Sequence, residues 1–405
     1  MKYLIPILAI IFMIGCPAPD KDDPIPETYP QENIAWPSLG DTPWPMHHHD
    51  PQSTGRSQYA GPQGGVVYKK VNAGVSESGI TIGYNSTVFT SSSLPPNNFY
   101  CLDYEGNIKW VSSLHSQSTP LVGSDSMIYL GGVGLFVAFT PDGDTLWQRT
   151  TETFTLGVNI DMNGNLFYID NESKLTKMSK NGDILWQLQS PYTFLQADDV
   201  PTFSPDGNTL YAQGSEVSVV AIDIVTQEIK WAFGNEKLMS GPVIDNDGNL
   251  YFIPGDVFEW SRNDSIDRIL YCLTSAGEIE WEFPFVSEVV WDNTEPTIDY
   301  DGNIYFATDT LYALNHTGDL RWKVPLEGNT ISPLICDINN VIYVGAKNRE
   351  IGQNQIYAVT AEGEILWVIR DSEIRSLGVS PAISEDGTLF YPTWDSVSRD
   401  YLIIK

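Results

Sequence analysis

Basic residues are scarce. The chain of 405 residues carries 22 Lys and Arg against 52 Asp and Glu, a net charge of -30. Nucleic-acid binding, which needs clustered Lys and Arg on phosphates, is thereby excluded, and so is electrostatic adhesion to anionic lipid. Cysteine is scarce too: Cys16, Cys101, Cys272 and Cys336 are the whole complement. Cys101 and Cys272 fall where other copies of a repeat carry Ala221, Ala313 and Ala358, which assigns them a small, buried, apolar role rather than disulfide or metal binding. The apolar run that opens the chain, about a dozen residues, is too short to span a bilayer. A Gly-x-Ser-x-Gly elbow, a Walker loop and a Cys-Cys pair are all missing. Hydrolysis at a nucleophile elbow and P-loop nucleotide chemistry therefore have no seat in this sequence.

The opening run, Met1 to Cys16, has a single Lys2 before its apolar stretch and fits a secretory signal. Its end, Met13-Ile-Gly-Cys16, resembles the bacterial lipobox. That resemblance implies cleavage before Cys16 and acyl chains on it. The following stretch is rich in Pro and Asp and cannot bury enough surface to fold, so it reads as a tether. Within it, Lys21-Asp-Asp23 is similar to the acidic export signal of some surface lipoproteins. The expected division is a signal peptide over 1–15, a lipidated Cys16 with its tether over 16–41, and one folded domain over 42–405. The expected location is the bacterial outer membrane or cell surface, with the membrane touched only through the acyl anchor.

What the chain has in abundance is a repeat. A glycine precedes a tryptophan by the same offset at Gly106 and Trp110, Gly143 and Trp147, Gly182 and Trp186, Gly277 and Trp281, Gly318 and Trp322, and Gly363 and Trp367. Trp231 closes a further copy in which Gln227 replaces the glycine. Successive tryptophans lie about 37 to 50 residues apart, the period of propellers and arrays. Between these units runs a second hairpin, clearest at Pro242-Val-Ile-Asp-Asn-Asp-Gly-Asn-Leu-Tyr-Phe252 and Pro296 to Phe306. Its Asp-Gly pairs supply the positive φ of tight turns, and apolar alternation flanks them. The two hairpins together make four strands, A to D, with A innermost: one propeller blade. Eight A–B hairpins stand against seven C–D hairpins, and the chain stops at Tyr401-Leu-Ile-Ile-Lys405. The missing strand is expected from Val66 to Val71, with Tyr68, four residues after Gly64, in the tryptophan slot. The predicted fold is all-β, an eight-bladed β-propeller of four-stranded blades closed by an N-terminal strand.

Ala221-Ile-Asp223 and Thr317-Gly318-Asp-Leu-Arg-Trp322 carry pieces of the docking motif of the pyrroloquinoline-quinone-like (PQQ-like) eight-bladed propellers, which the chain resembles over about residues 42 to 405. Trp44 to Ser57 is similar to the lead-in of many of these proteins. The resemblance implies that Trp110, Trp147, Trp186, Trp231, Trp281, Trp322 and Trp367, with Tyr68, form a ring of buried wedges between blades. Quinoprotein dehydrogenases of that kind use a quinone, a calcium ion and commonly a vicinal cysteine pair. The pair is missing here, and no cofactor is expected, neither PQQ nor calcium. The Asp-x-Asp-Gly-Asn turns at Asp245 and Asp299 look like calcium-loop fragments but lack the later acidic ligand, so they read as hairpin turns. His47, His48 and His49 are consecutive; in an extended chain neighbours point opposite ways, so the lead-in reads as packing against the closing blade rather than as a metal site.

A–B and C–D turns share one face of such a disc and are short here. B–C loops and D–A connections share the other and carry the irregular sequence, with an insertion from Gly255 to Arg268. Trp260, Trp291 and Trp394 fall there, outside the repeat register, with Asp292, Asp309 and Asp395 near them in sequence. These six are the candidate binding face, since loops on a rigid scaffold carry function and Trp is favoured at hot spots. The expected function is a non-catalytic, lipid-anchored scaffold binding an envelope or surface protein as a monomeric propeller. Glycan binding or processing, and quinone-dependent dehydrogenation, are the alternatives.

Overall fold

In the computed structural model the described residues are 28–72, 78–92, 98–170, 172–193, 200–214, 216–236, 241–255, 266–287, 295–330, 332–348, 352–371, 379–392 and 400–405. Among them every regular element is a strand. Blade 6 shows the plan: Thr297–Ile298, Ile304–Ala307, Thr310–Leu314 and Leu320–Pro325 pair antiparallel in sequence order. Its inner three strands are buried on both faces and its outer strand alternates exposed and half-buried residues, as expected of strands wedged between neighbouring blades with only the rim in water. Blade 1 runs from Thr81 to Ser113, blade 4 from Thr202 to Phe233, blade 5 from Val243 to Ser287 and blade 7 from Ile335 to Asp371. Blades 2 and 3 are joined without a break. The strand Thr145–Ile160 is the outermost of one and the innermost of the next, giving a single seven-stranded path.

Blade 8 is closed by the N-terminal strand. Ala382–Ile383, Leu389–Pro392 and Asp400–Ile404 are completed by Val67–Asn72, with Val67 opposite Ile404 and Val71 opposite Tyr401. Ring closure removes the open edges that an array would leave.

The A–B turns explain the repeated aspartates. Asp299 accepts backbone N–H groups from Asp301 and Asn303 at 2.9 and 2.8 Å, the Asn303 amide at 2.8 Å and the Tyr305 hydroxyl at 2.7 Å. Asp245 does the same with Asp247, Asn249 and Tyr251. Burial pushes both carboxyls above the usual range, and these donors only partly offset it. Their oxygens are committed to the turn, which is the physical reason these are hairpins and not calcium loops.

The C–D turns need a residue at positive φ beside an indole. Gly318 sits at φ +84, and a Cβ there would lie 2.6 Å from the Trp281 ring. Gly318→Ala is therefore expected to cost about 1–3 kcal/mol from backbone strain, plus the displacement of Trp281. Gly352 sits at φ +64, and a Cβ there would meet nothing within 4 Å, so Gly352→Ala carries the backbone part alone. Urea midpoints of the two variants separate the terms; equal losses would mean that the indole contact contributes nothing.

Candidate functional site

Six of the seven outer-strand tryptophans are bonded to the next blade. The indole N–H donates to the C–D turn beyond it: Trp110 to Pro141 O, Trp147 to Lys180 O and Trp281 to His316 O, each at 2.9 Å. Trp231 donates to Ser275 O at 3.1 Å, Trp322 to Ala361 O at 2.7 Å and Trp367 to Pro62 O at 3.0 Å. The ring faces lie on Gly143, Gly182, Gly277, Gly318, Gly363 and Gly65. Trp186 meets Phe167 edge-on at 5.7 Å, ahead of a turn where Gln227 takes the glycine's left-handed conformation at φ 63. Two expectations need correction. The tryptophans are half-buried rather than buried, because strand D is the rim strand and the neighbouring blade covers only one side of it. Tyr68 is not the eighth member. Ile403 faces Lys69, and a bulge lies between Val67 and Lys69, as it does just before each tryptophan. Tyr68 is the bulge residue and is 54% exposed. Lys69 occupies the slot and sends its ammonium to Glu105 O of blade 1 at 2.5 Å.

The axis of the ring is filled by the chain itself. Strand A of each blade pairs on one side only, so its other edge faces the channel with N–H groups that a dry interior would leave unpaired. Residues 44–56 answer them in turn. Trp44 O accepts from Ile82 of blade 1, Pro45 O from Val122 of blade 2, Pro51 O from Phe203 of blade 4, Gln52 O from Ile244 of blade 5, Thr54 O from Ile298 of blade 6 and Gly55 O from Cys336 of blade 7. Asn159 of blade 3 donates its amide to Pro51 O at 3.1 Å. The lead-in is thus an axial plug bonded to blades 1 to 7, not packing confined to the closing blade. His48, His49, Ser53 and Gly55 all have positive φ, so the segment is coiled, and the rule of opposite directions for neighbouring histidines fails. His47 and His48 both reach Glu295, at 3.0 and 3.3 Å. The signal available in the sequence was Gly55 and the polar triplet itself, with no periodicity to say where the segment goes.

Charge inside the plug is balanced locally. His48 Nδ1 lies 2.7 Å from Ser53 O, and its Nε2 lies 2.7 Å from Leu334 O. Burial pulls its pKa down and Glu295 pulls it back up, with the net direction downward. The geometry nonetheless decides for the imidazolium, since a neutral ring donates only once and would turn a lone pair on a carbonyl. Burial pushes Glu295 up, and the charges of His47 and His48 with the His47 hydrogen bond outweigh it, leaving the carboxyl below its ordinary value. Arg56, 1% exposed, lies 4.8 Å over the Tyr300 ring and donates to Glu32 O at 3.0 Å.

Before the plug, a strap crosses the turn face. Gln31 N–H donates to Tyr300 O, Trp36 Nε1 to Ile160 O at 2.7 Å, and Gly40 N–H to Val122 O. A hollow of about 540 Å³ opens between strap and plug, lined by Trp36, Asp41, His49, Asp50, Gln58 and Tyr84 among others. Its size suits a small molecule, but its charges do not suit a quinone tricarboxylate: Asp41 and Asp50 line it, with no Lys or Arg. Among the described residues no group of three His, Cys, Asp or Glu could hold a metal ion. The residues lining this hollow therefore do not fit the quinone of the dehydrogenases. Cys101, Cys272 and Cys336 are free and buried, and burial pushes the thiols of Cys101 and Cys272 up to about 12, which leaves them unreactive.

Of the candidate binding face, Trp260, Trp291, Asp292, Trp394 and Asp395 lie outside the described residues, as does Cys16. Asp309 is described. Its backbone oxygen accepts from Leu326 at 2.8 Å and its carboxylate from Thr308 Oγ1 at 3.0 Å. It caps the tight B–C turn of blade 6.

The family model for outer membrane protein assembly factor BamB matches residues 57–268 and 267–392. A search of curated protein sequences finds no match. Among solved structures, BamB from Moraxella catarrhalis superposes with a TM-score of 0.59 at 14% identity, covering 84% of this chain and 99% of that one. Quinohemoprotein alcohol dehydrogenase from Comamonas testosteroni superposes with a TM-score of 0.64 at 12% identity, covering 92% and 81%. The Dos1 propeller gives 0.60 at 11%, covering 83% and 94%. At such identities the likeness is one of fold alone.

Proposed function

Because the chain belongs to the family of outer membrane protein assembly factor BamB, we propose that it is a non-catalytic, lipid-anchored scaffold of the bacterial outer membrane or cell surface, holding an envelope protein on its B–C/D–A face. The observation that carries this reading is the filled axis. Residues 44–56 occupy the channel and take up the inner-strand donors of blades 1 and 2 and of 4 to 7, so that part of the axis offers no cavity for a substrate. Binding then belongs on the outside. The turn face is partly covered by the strap. Trp260, Trp291 and Trp394, three large amphipathic side chains outside the docking register, fall in B–C and D–A segments of the sequence. With a net charge of -30, the disc steers a partner of basic character, and salt slows the association. No quinone or calcium is required.

The experiment is affinity capture from solubilised envelope with the full-length chain. The combined Trp260→Ala, Trp291→Ala and Trp394→Ala variant is expected to keep its unfolding midpoint and lose the captured protein. Capture of the same protein at the same yield would move the binding face to the turns. Dye reduction on adding PQQ and calcium would replace the scaffold reading with the quinoprotein one.

A further inference from the structure

Resting on the acyl-anchor reading, we infer that the face carrying the A–B and C–D turns is the membrane side of the disc, and that the B–C/D–A face points away from the bilayer. The place where the tether joins the body carries this. Tyr29 N–H donates to Asp301 O at 2.9 Å, its ring stacks on His316 at 4.8 Å, and its hydroxyl bonds the Asp247 carboxylate. Gln31 N–H donates to Tyr300 O at 2.9 Å, and its side-chain oxygen accepts from Asn246 N–H at 3.0 Å. These partners belong to the A–B turns of blades 5 and 6 and the C–D turn of blade 6. Gly302 is shaped to the strap: at φ +78, a Cβ there would lie 2.3 Å from Tyr29 O. The chain is therefore clamped to the turn face before it becomes tether.

Reach decides the rest. Between Cys16 and Tyr29 lie residues 17 to 28, which at full extension span about 40 Å. A rim strand such as Leu320–Pro325 is itself about 20 Å long, before its turns and loops are added. To present the opposite face to the bilayer, the tether would use most of its length climbing the rim. With the turn face down, the same length is free reach. That face is also acidic: Asp142, Asp183, Glu278, Asp319 and Glu362 stand exposed on C–D turns. Over anionic lipid the disc therefore stands off the headgroups instead of adsorbing to them. A partner docking on the B–C/D–A face approaches from the side away from the membrane.

The test uses energy transfer from single dyes to an acceptor lipid. Acylated full-length protein is reconstituted on phosphatidylcholine vesicles carrying a trace of rhodamine-labelled lipid. Donors are placed through Asn181→Cys and Glu362→Cys on C–D turns, and through Glu172→Cys and Glu236→Cys on the other face; the native described cysteines are buried and stay unlabelled. Transfer from the two turn positions is expected to exceed that from the other two at least twofold. Asn181 and Glu172 lie in the same blade on opposite faces, so a tilt, which moves both together, does not mimic a higher transfer from Asn181. Equal transfer, or the reverse order, overturns the inference. Cys16→Ser separates the two readings: if the unsubstituted chain partitions no better than this variant, the anchor itself fails. If it partitions and the order is absent, only the orientation fails. Tyr29→Ala with Gln31→Ala should leave partitioning intact and draw the ratio toward one; a ratio that persists overturns the clamp as the orienting element.

Discussion

Glu295→Gln should lower stability by about 3–5 kcal/mol at neutral pH, the cost of removing one member of a buried ion pair. The carboxylate lies 3.0 Å from His47 and 3.3 Å from His48, and both of the His48 ring nitrogens already face carbonyl oxygens. With the carboxylate gone, the imidazolium is left with Asp50, already engaged by His49 and Thr54, or loses a proton and turns a lone pair on a carbonyl. The pH dependence has a definite sign. The Glu295 carboxyl is held below its ordinary value of 4.5 in the folded chain, so its contribution is complete above that value and fades as pH falls through the folded pKa. The gap between the unsubstituted chain and Glu295→Gln should therefore close as pH falls below 4.5. Denaturant midpoints at a series of pH values measure this; a gap that stays open well below 4.5 would refute the charge assignment.

Trp44→Ala should cost about 3–5 kcal/mol, the range for a fully buried aromatic truncated in a packed core. Trp44 is 0% exposed, sits edge-on to His49 at 5.0 Å, and its backbone oxygen holds Ile82. Trp322→Ala removes a half-buried indole and should cost about 1–2 kcal/mol. The order matters more than the values: the plug tryptophan outweighs any single docking tryptophan. Trp44 Nε1 has no partner among the described residues, so Trp44→Phe discards a buried donor unpaired there and should cost far less than the alanine change. A larger loss for Trp322→Ala than for Trp44→Ala would mean that the ring is held by its rim and not by its axis.

The ring was legible because its units repeat. The spacing of Gly and Trp, the Asp-Gly turns and the shortfall of one C–D hairpin together fixed the blade count and the closing strand. Local pattern failed where one residue of register mattered. The glycine offset pointed from Gly64 to Tyr68, whereas the structure uses Gly65 and Lys69, the first against Trp367 and the second against Glu105. An aromatic in roughly the right place outweighed a lysine in the right one, and a bulge cannot be seen in a sequence without its pairing partner. The plug failed for a different reason. Trp44 to Arg56 has no periodicity, and its partners are inner-strand amides scattered over blades 1 to 7, information that exists only once the ring is closed. As for the binding face, Asp309 alone is described, and it serves its own turn.

The strand that closes blade 8 also sets the tempo of folding. Val67 pairs with Ile404, and Lys405 N–H donates to Val66 O at 3.0 Å, so nearly the whole chain lies within the loop that this pairing completes. Contacts of such separation must overcome the entropy of loop closure before they stabilise anything, and folding slows accordingly. Synthesis from the N-terminus delivers the plug and one strand of blade 8 early, yet the plug waits for the inner strand of blade 7 and the blade 8 strand waits for Asp400–Ile404. The ring is thus a late, all-or-none event in the life of the polypeptide. Once shut, it opens only by giving up rim, axis and seam together, so its durability is a matter of rate.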